Sequence, residues 1–344
     1  MSDRPRRPTL RDIADATGLS SATVSYALRG LHVPVATQQR VQAAAKDLGY
    51  QADPIARALA SGRSGYVGVL CGSQEDAWQQ TVATAIGRGL LDVELNALVV
   101  DAANDPLLEE TLAQRLVDQR VDALIVLPVD PRARHWNTIA AQTVLVSIGD
   151  SLPKAPTAAE VVYDNAGGVT DALNRLAAAG HRRITVLTPS GLATPDRPAE
   201  VVVKSLATEL GVSVTLCTAS HDLESSAAVV HGILTGPDRP TAFLCLADSI
   251  AYGVYAAAHD LGLSVPQDIS VIGFDDRPMS RILTPPLSSY RWPVDELVAA
   301  VVERTVNGIG TGKRTRKKVL TATPQMRGSV APPRVDLHTS DSGV

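Results

Sequence analysis

The sequence predicts a small all-α headpiece of the helix-turn-helix kind, followed by a larger α/β body of two doubly wound lobes with parallel sheets. Three observations carry this: helix start and stop signals within residues 9–30, a change of texture at Gly65, and eight short apolar runs that fall into two sets of four.

Thr9, with Asp12 three places on, forms a capping box that opens a helix, and Leu10, Ile13, Ala14 and Thr17 then share one face. Gly18 supplies the positive φ of a sharp turn, Ser20 caps a second helix, and Val24 and Leu28 aim that helix back at the first. Two short helices at an angle are either an αα-hairpin packed for stability or the motif whose second helix enters a DNA major groove. A third amphipathic stretch runs from Thr37 through Val41, Ala44, Ala45 and Leu48 to a glycine stop at Gly49. It completes a self-contained head over 1–50 and favours the DNA-binding reading. Ser21, Ala22, Thr23, Ser25, Tyr26 and Arg29 then face outward, the residue types that meet phosphates and base edges.

Residues 54–61, PIARALAS, are too short to hold a helix alone in water, so 51–64 is a linker or a helix that forms only when docked. Beyond Gly65, residues 66–71, 97–100, 123–127 and 144–148 read as buried parallel strands, as do 184–187, 212–216, 242–246 and 270–273. Two such lobes meet at a cleft where strand carboxyl ends converge, the place where open α/β sheets take ligands. Residues 331–344 read as a flexible tail without the heptads of a tetramer-forming helix.

The chain's net charge of −4 hides an asymmetry. Residues 1–64 hold nine cationic side chains against five acidic ones, a basic head on an acidic body. No window is apolar for long enough to span a bilayer and MSDRPRRPTL lacks a signal peptide's apolar run, so a cytoplasmic protein is expected. Cys71, Cys217 and Cys245 lack paired spacing and read as reduced, mostly buried residues. Nucleophile elbow, phosphate-cradling glycine loop, HExxH and paired metal-ligand spacing are all missing, and the seven histidines are scattered. The expectation is no enzyme, hence no catalytic residues, cofactor or metal. A transport-type binding protein would explain two lobes but not the head.

The motifs LRDIADATGLSSATVSYALRG, RVQAAAKDLGY, DPIARALASGRSG, VVYDN, AGHRRI, DRPTAF and ISVIGFDD followed by LTPPLSSYRWP together resemble the lactose-repressor (LacI/GalR) family of transcription regulators. The similarity runs from Pro8 to Val330. It implies a regulator, of the repressor type, that binds a near-palindromic operator in double-stranded DNA as a homodimer and answers to a small-molecule effector, a sugar or other metabolite. It also implies a body like the periplasmic binding proteins, with a first lobe over 65–162 and 291–320, a second over 163–290 and 321–330, and a hinge helix within 51–64. Leu59 matches the family's minor-groove wedge, with Arg57 flanking. Ser21 and Ala22 match base-reading positions, and Thr23, Ser25 and Thr37 match phosphate-contacting hydroxyls; Thr9 and Ser20 join them as DNA-binding candidates. Tyr26 stands where arginine is usual and Arg29 where asparagine is common, which implies a half-site unlike the family's usual one. The alternative for Tyr26 is a ring covering the helix junction.

For the effector, Asp275 is the strongest match, with Asp276 expected to cap the next segment. Arg197 lies one place out of register, Ala247 replaces a frequent asparagine, and Asp248 beside it is a further candidate. Trp78 and Trp292 are either platforms for a ring-shaped ligand or packing residues within a lobe. So many altered polar positions predict a less hydroxylated effector or none.

Overall fold

The computed structural model describes residues 8–31, 33–50, 62–189 and 197–334, with the side chains of 197–201 left aside. The chain forms two compact units, Met1–Ser64 and Gly65–Val344.

The first unit holds α1 (Leu10–Thr17), α2 (Ser21–Leu28) and α3 (Val35–Asp47). The Thr9 hydroxyl accepts the Asp12 N–H while the Asp12 carboxylate accepts the Thr9 N–H at 2.6 Å, so two orphan donors of α1 are satisfied reciprocally. Gly18 ends α1 at φ 66°, a conformation that costs a Cβ-bearing residue and lets the chain turn at once into the Ser20 cap of α2. Ile13, Ala14, Val24, Ala27, Val41 and Ala45 meet in a buried core contributed by all three helices. The third helix starts two residues earlier than its apolar pattern suggests, because Pro34 at its cap fixes a backbone angle that suits helix entry.

The second unit opens with β1 (Tyr66–Cys71), α4 (Ala77–Leu91), β2 (Asn96–Asp101), α5 (Pro106–Asp118), β3 (Ala123–Leu127), α6 (His135–Ala140), β4 (Val144–Gly149) and β5 (Ala159–Tyr163). Next come α7 (Asn165–Ala178), β6 (Arg183–Pro189), α8 (Arg197–Leu210), β7 (Ser213–Ala219), α9 (Leu223–Thr235), β8 (Ala242–Cys245), α10 (Asp248–Asp260) and β9 (Ser270–Ile272). It closes with β10 (Ser289–Arg291), α11 (Val294–Thr311), β11 (Lys318–Leu320) and β12 (Thr323–Gln325). One parallel sheet has the order β11-β5-β4-β3-β1-β2, a second the order β7-β6-β8-β9, and β10 pairs antiparallel with β12 in a short ribbon. β3 is buried along its whole length, as a strand covered by helices on both faces requires. A continuous apolar core runs from the inner face of one sheet to that of the other, through Phe274, Tyr290 and Trp292, and separate clusters fill the two outer faces.

Two expectations are corrected. The first sheet has six strands rather than four, since β5 pairs with β4 and β11 with β5 at its edge. The tail does not begin at residue 331: the Ala331 N–H donates to Ser270 Oγ, its carbonyl lies 3.0 Å from His181 Nε2, and Arg334 pairs with Asp268. Residues 335–344 lie outside the described residues. Among the described residues, no helix is long and apolar enough to cross a membrane, and no group of His, Cys, Asp and Glu is arranged to hold a metal ion.

Candidate functional site

On α2 the buried positions Val24 and Ala27 leave Ser21, Ala22, Tyr26 and Arg29 exposed and Thr23 and Ser25 half-buried. The Tyr26 ring is 46% exposed and does not cover the helix junction. Instead the Arg29 guanidinium lies over it, 5.3 Å from its centroid, with Arg29 Nε donating to the Ser25 carbonyl. This cation–π contact presents the ring and the charge as one surface feature. The hydroxyls of Thr9 and Ser20 are engaged in the caps of α1 and α2, and Ser20 Oγ also lies 2.8 Å from Thr23 Oγ1. Thr37 is half-buried in the first turn of α3. Arg57 and Leu59 fall outside the described residues.

In the larger unit a cleft of about 880 Å³, counted to its open mouth, lies at the carboxyl ends of the strands of both sheets. Residues just past β1, β3 and β4 and the last residue of β5, from the first sheet, face the last residue of β6 and residues after β8 and β9, from the second, across it, where open α/β sheets offer their ends to ligands. One wall is aromatic. Trp78 Nε1 donates to Tyr163 Oη at 3.2 Å, the Tyr163 and Trp292 rings lie 4.7 Å apart, and Phe274 stacks on Tyr290 at 4.7 Å and 14°. Leu127, Val129, Ile148 and Leu246 add apolar surface. Trp78 and Trp292, at 9% and 4% exposed, pack within the body and also line the cleft.

The polar lining includes three carboxylates, Asp76, Asp150 and Asp275. Burial pushes the Tyr163 hydroxyl well above the usual phenol range, and all three carboxylates push it further the same way, while the Trp78 bond opposes them. Asp275 sits at φ 98°, a strained angle for a residue with a Cβ, and its N–H donates to the Tyr290 carbonyl at 2.8 Å. His221 Nδ1 lies 2.8 Å from Ser249 Oγ at the opposite side.

Of the expected effector residues, Trp78, Ala247, Asp275 and Trp292 come together in this cleft. Asp248 does not line it: the residue is fully buried, and its carboxylate accepts from Ser280 Oγ at 2.5 Å, Ser289 Oγ at 2.6 Å and the Arg277 N–H at 2.7 Å. It braces the loop that carries Asp275 from behind, and burial raises its pKa to about 6. Asp276 is not a helix cap. Its carboxylate binds Arg291 at 2.5 Å and Arg327 and Arg281 as well; burial pushes its pKa up, but the Arg327 and Arg291 bonds outweigh that and hold it below the usual range. Arg197 opens α8, its side chain outside the description.

Residues missed by sequence reasoning include Tyr163, Phe274, Asp76, Asp150 and His221. Tyr163 and Phe274 carried a signal, as aromatics at strand ends in a chain with 3% aromatic residues. Glu109 had none: fully buried on α5, it accepts the Val129 N–H at 2.5 Å and the Asp130 N–H at 3.3 Å, and so holds the loop of the cleft floor.

Residues 9–53 match the family model of bacterial regulatory proteins, lacI family, and residues 173–330 match that of the periplasmic binding protein-like domain. The HTH-type transcriptional regulator MalR of Streptomyces coelicolor is 31% identical over 314 residues, covering 88% of this chain and 90% of that protein. The ribose operon repressor of Haemophilus influenzae is 27% identical over 327 residues, covering 94% and 98%. Among solved structures, the lac repressor dimer bound to operator and the anti-inducer ONPF shares the fold with a TM-score of 0.84 at 23% identity, covering 95% of this chain and 100% of that one. A LacI family regulator from Enterococcus faecium with bound ribose gives 0.70 at 20% identity, covering 78% and 99%.

Proposed function

The chain belongs to the lacI family of bacterial regulatory proteins, DNA-binding transcriptional regulators rather than enzymes, and on that premise we propose how its parts divide the work. The head of each of two subunits reads one half of a near-palindromic operator, with α2 in the major groove. Ser21, Ala22 and Tyr26 meet base edges, Thr23, Ser25, Thr37 and the Arg29 cation meet phosphates, and Thr9 and Ser20 hold the helices that present them. Residues 51–64 form the hinge, with Leu59 and Arg57 directed at the minor groove. The observation that carries this reading is the pairing of a fully buried three-helix core with an α2 outer face that exposes small polar residues, an aromatic and a cation.

The second subunit is proposed to dock on apolar side chains that the larger unit leaves in water. Leu107 is 75% exposed beside Leu108 on α5, and Ile282 is 71% exposed near Met279. Apolar surface of this kind, spread over both lobes, suits a two-fold interface. The cleft takes the effector against Trp78, Trp292, Ala247 and Asp275, with Arg197 at the start of α8 as a further contact. Lobes over 65–162 with 291–320 and over 163–290 with 321–330 then shift against one another. The protein acts where its DNA lies, in the cytoplasm.

Sequencing the genomic fragments that the purified full-length protein retains tests the reading. The expected result is a small set of near-palindromic sites whose affinity falls steeply with salt, because phosphate contacts release counterions. Deletion of residues 1–64 abolishes retention and preserves small-ligand binding. Equal retention of all fragments by the full-length chain overturns the proposal.

A further inference from the structure

On a body that is acidic overall, one short segment is strongly basic: Lys313, Arg314, Arg316, Lys317 and Lys318 are five cations within six residues. It follows α11, which ends at Gly312 with φ 65°, and leads into β11. Lys318 pairs with Glu296 at 2.5 Å, whereas Lys313, Arg314, Arg316 and Lys317 are exposed and, among the described residues, make no ion pair. The negative end of a helix accounts for a cation or two beside its last turn, but that effect fades beyond the turn and leaves Arg316 and Lys317 unexplained.

The parallel sheet fixes where this segment lies. All six strands of the first sheet run the same way, so they begin at one end. Gly308 packs on Val144, the first residue of β4, and the Thr315 N–H donates at 2.8 Å to the carbonyl of Ala158, just before β5. The basic segment therefore stands where the strands begin. Gly65, immediately before β1, is at that end too, and there the chain arrives from the head and residues 51–64. β11 lies four strand spacings from β1, roughly 20 Å. The acids at this end are set apart from the segment: Asp92 and Glu94 precede β2, the opposite edge of the sheet, and the Asp122 carboxylate accepts the Gly65 N–H at 2.9 Å.

We propose that residues 313–317 are a second DNA-binding surface, which takes the phosphates flanking the half-site that the head reads. The inference rests on the reading of the head as the operator-binding module and adds a contact made by the body. Duplex DNA carries one charge per about 1.7 Å of its axis, so exposed lysines and arginines find phosphates whatever the sequence. Such contacts add affinity and fix position without reading bases.

Two duplexes decide it: the near-palindromic site alone, and the same site extended on each side by about ten base pairs, one helical turn, of arbitrary sequence. Both are titrated with the full-length protein by fluorescence anisotropy across a salt series. The extended duplex is expected to bind about tenfold tighter at low salt, with a steeper salt slope, whatever its flanking sequence. Arg316→Gln combined with Lys317→Gln, checked for native circular dichroism, binds the short duplex as the parent does. On the extended duplex it loses most of the advantage, and the slope falls by about 3 to 4, as removal of two phosphate contacts from each of two subunits requires. Lys313→Gln combined with Arg314→Gln shrinks the advantage in the same way and remains informative if the first pair fails to fold. Equal affinity of the parent for the two duplexes, the outcome if the patch serves an acidic protein segment, overturns the inference, as does an advantage that both paired variants keep. If the parent prefers neither duplex to random competitor, the reading of the head fails and this inference falls with it.

Discussion

Glu109 is the residue whose titration bears most directly on the cleft. Burial raises its pKa from 4.5 to about 7, against the opposing pull of the Val129 and Asp130 N–H groups. A raised folded pKa means that the folded state favours the protonated form. The stability this contributes is fully present below the unfolded value and is lost as pH rises through about 7, an effect on the order of 3 kcal/mol. Glu109→Gln keeps an acceptor for the Val129 N–H and removes the titration. The melting temperature of the variant relative to the parent is therefore expected to climb by several degrees between about pH 5 and about pH 8. Parallel curves would show that Glu109 does not titrate in this window. His135 lies 3.9 Å from Glu109, and its own burial lowers its pKa, toward the neutral imidazole. Residues like this one set the limit of what a sequence reveals. Glu109, Asp248 and Asp276 are ordinary acids along the chain, and their roles depend on partners such as Arg327, 51 positions from Asp276, that only the tertiary fold brings near.

Elements were legible in proportion to how locally they are determined. α1 and α2 announce themselves through caps, a glycine and helical spacing within 22 residues, and β1 and β3 coincide with their apolar runs to the residue. β11 is a three-residue strand at the end of the basic run KRTRKK, and it exists because Lys318–Leu320 lies alongside Val161–Tyr163; no pattern in either segment states that pairing. The cleft followed the same rule, since its place at strand ends was legible while its aromatic wall depended on which rings converge. For α2 the departure from the family pattern makes a sharp prediction. Tyr26→Ala is expected to change preference at one base position of each half-site by about 1–3 kcal/mol, with the salt dependence of binding intact. Arg29→Ala is expected to lower the salt slope by about one phosphate contact. Selection from a randomised site library and salt titration read the two effects separately, and a uniform loss across all sequences for Tyr26→Ala would reduce the ring to a support for Arg29.

At the scale of the whole molecule, a regulator needs two arrangements of its parts and a ligand that distinguishes them by differential contact. Arg277 supplies a place where that difference is decided. It leaves the loop after β9, where its N–H donates to Asp248, and its guanidinium reaches the first turn of α4 on the other sheet, donating to the Ala77 carbonyl at 2.7 Å and to Thr81 Oγ1. Asp76 and Trp78 flank Ala77, and Asp275 lies two residues before Arg277, so the tether joins the two lobes beside the lining of the cleft. A charged hydrogen bond of this kind contributes about 1.5–3 kcal/mol, enough to shift a two-state balance by more than tenfold. Arg277→Ala is accordingly expected to speed amide hydrogen exchange in the first turn of α4 and to weaken effector binding, while exchange in α1, α2 and α3 stays at the parent rate. Thr81→Val removes one of the two acceptors and should give a smaller change in the same direction. If exchange in α4 is the same in Arg277→Ala as in the parent, the tether does not govern how the lobes are held, and the coupling between them must run through the β10–β12 ribbon and the aromatic core instead.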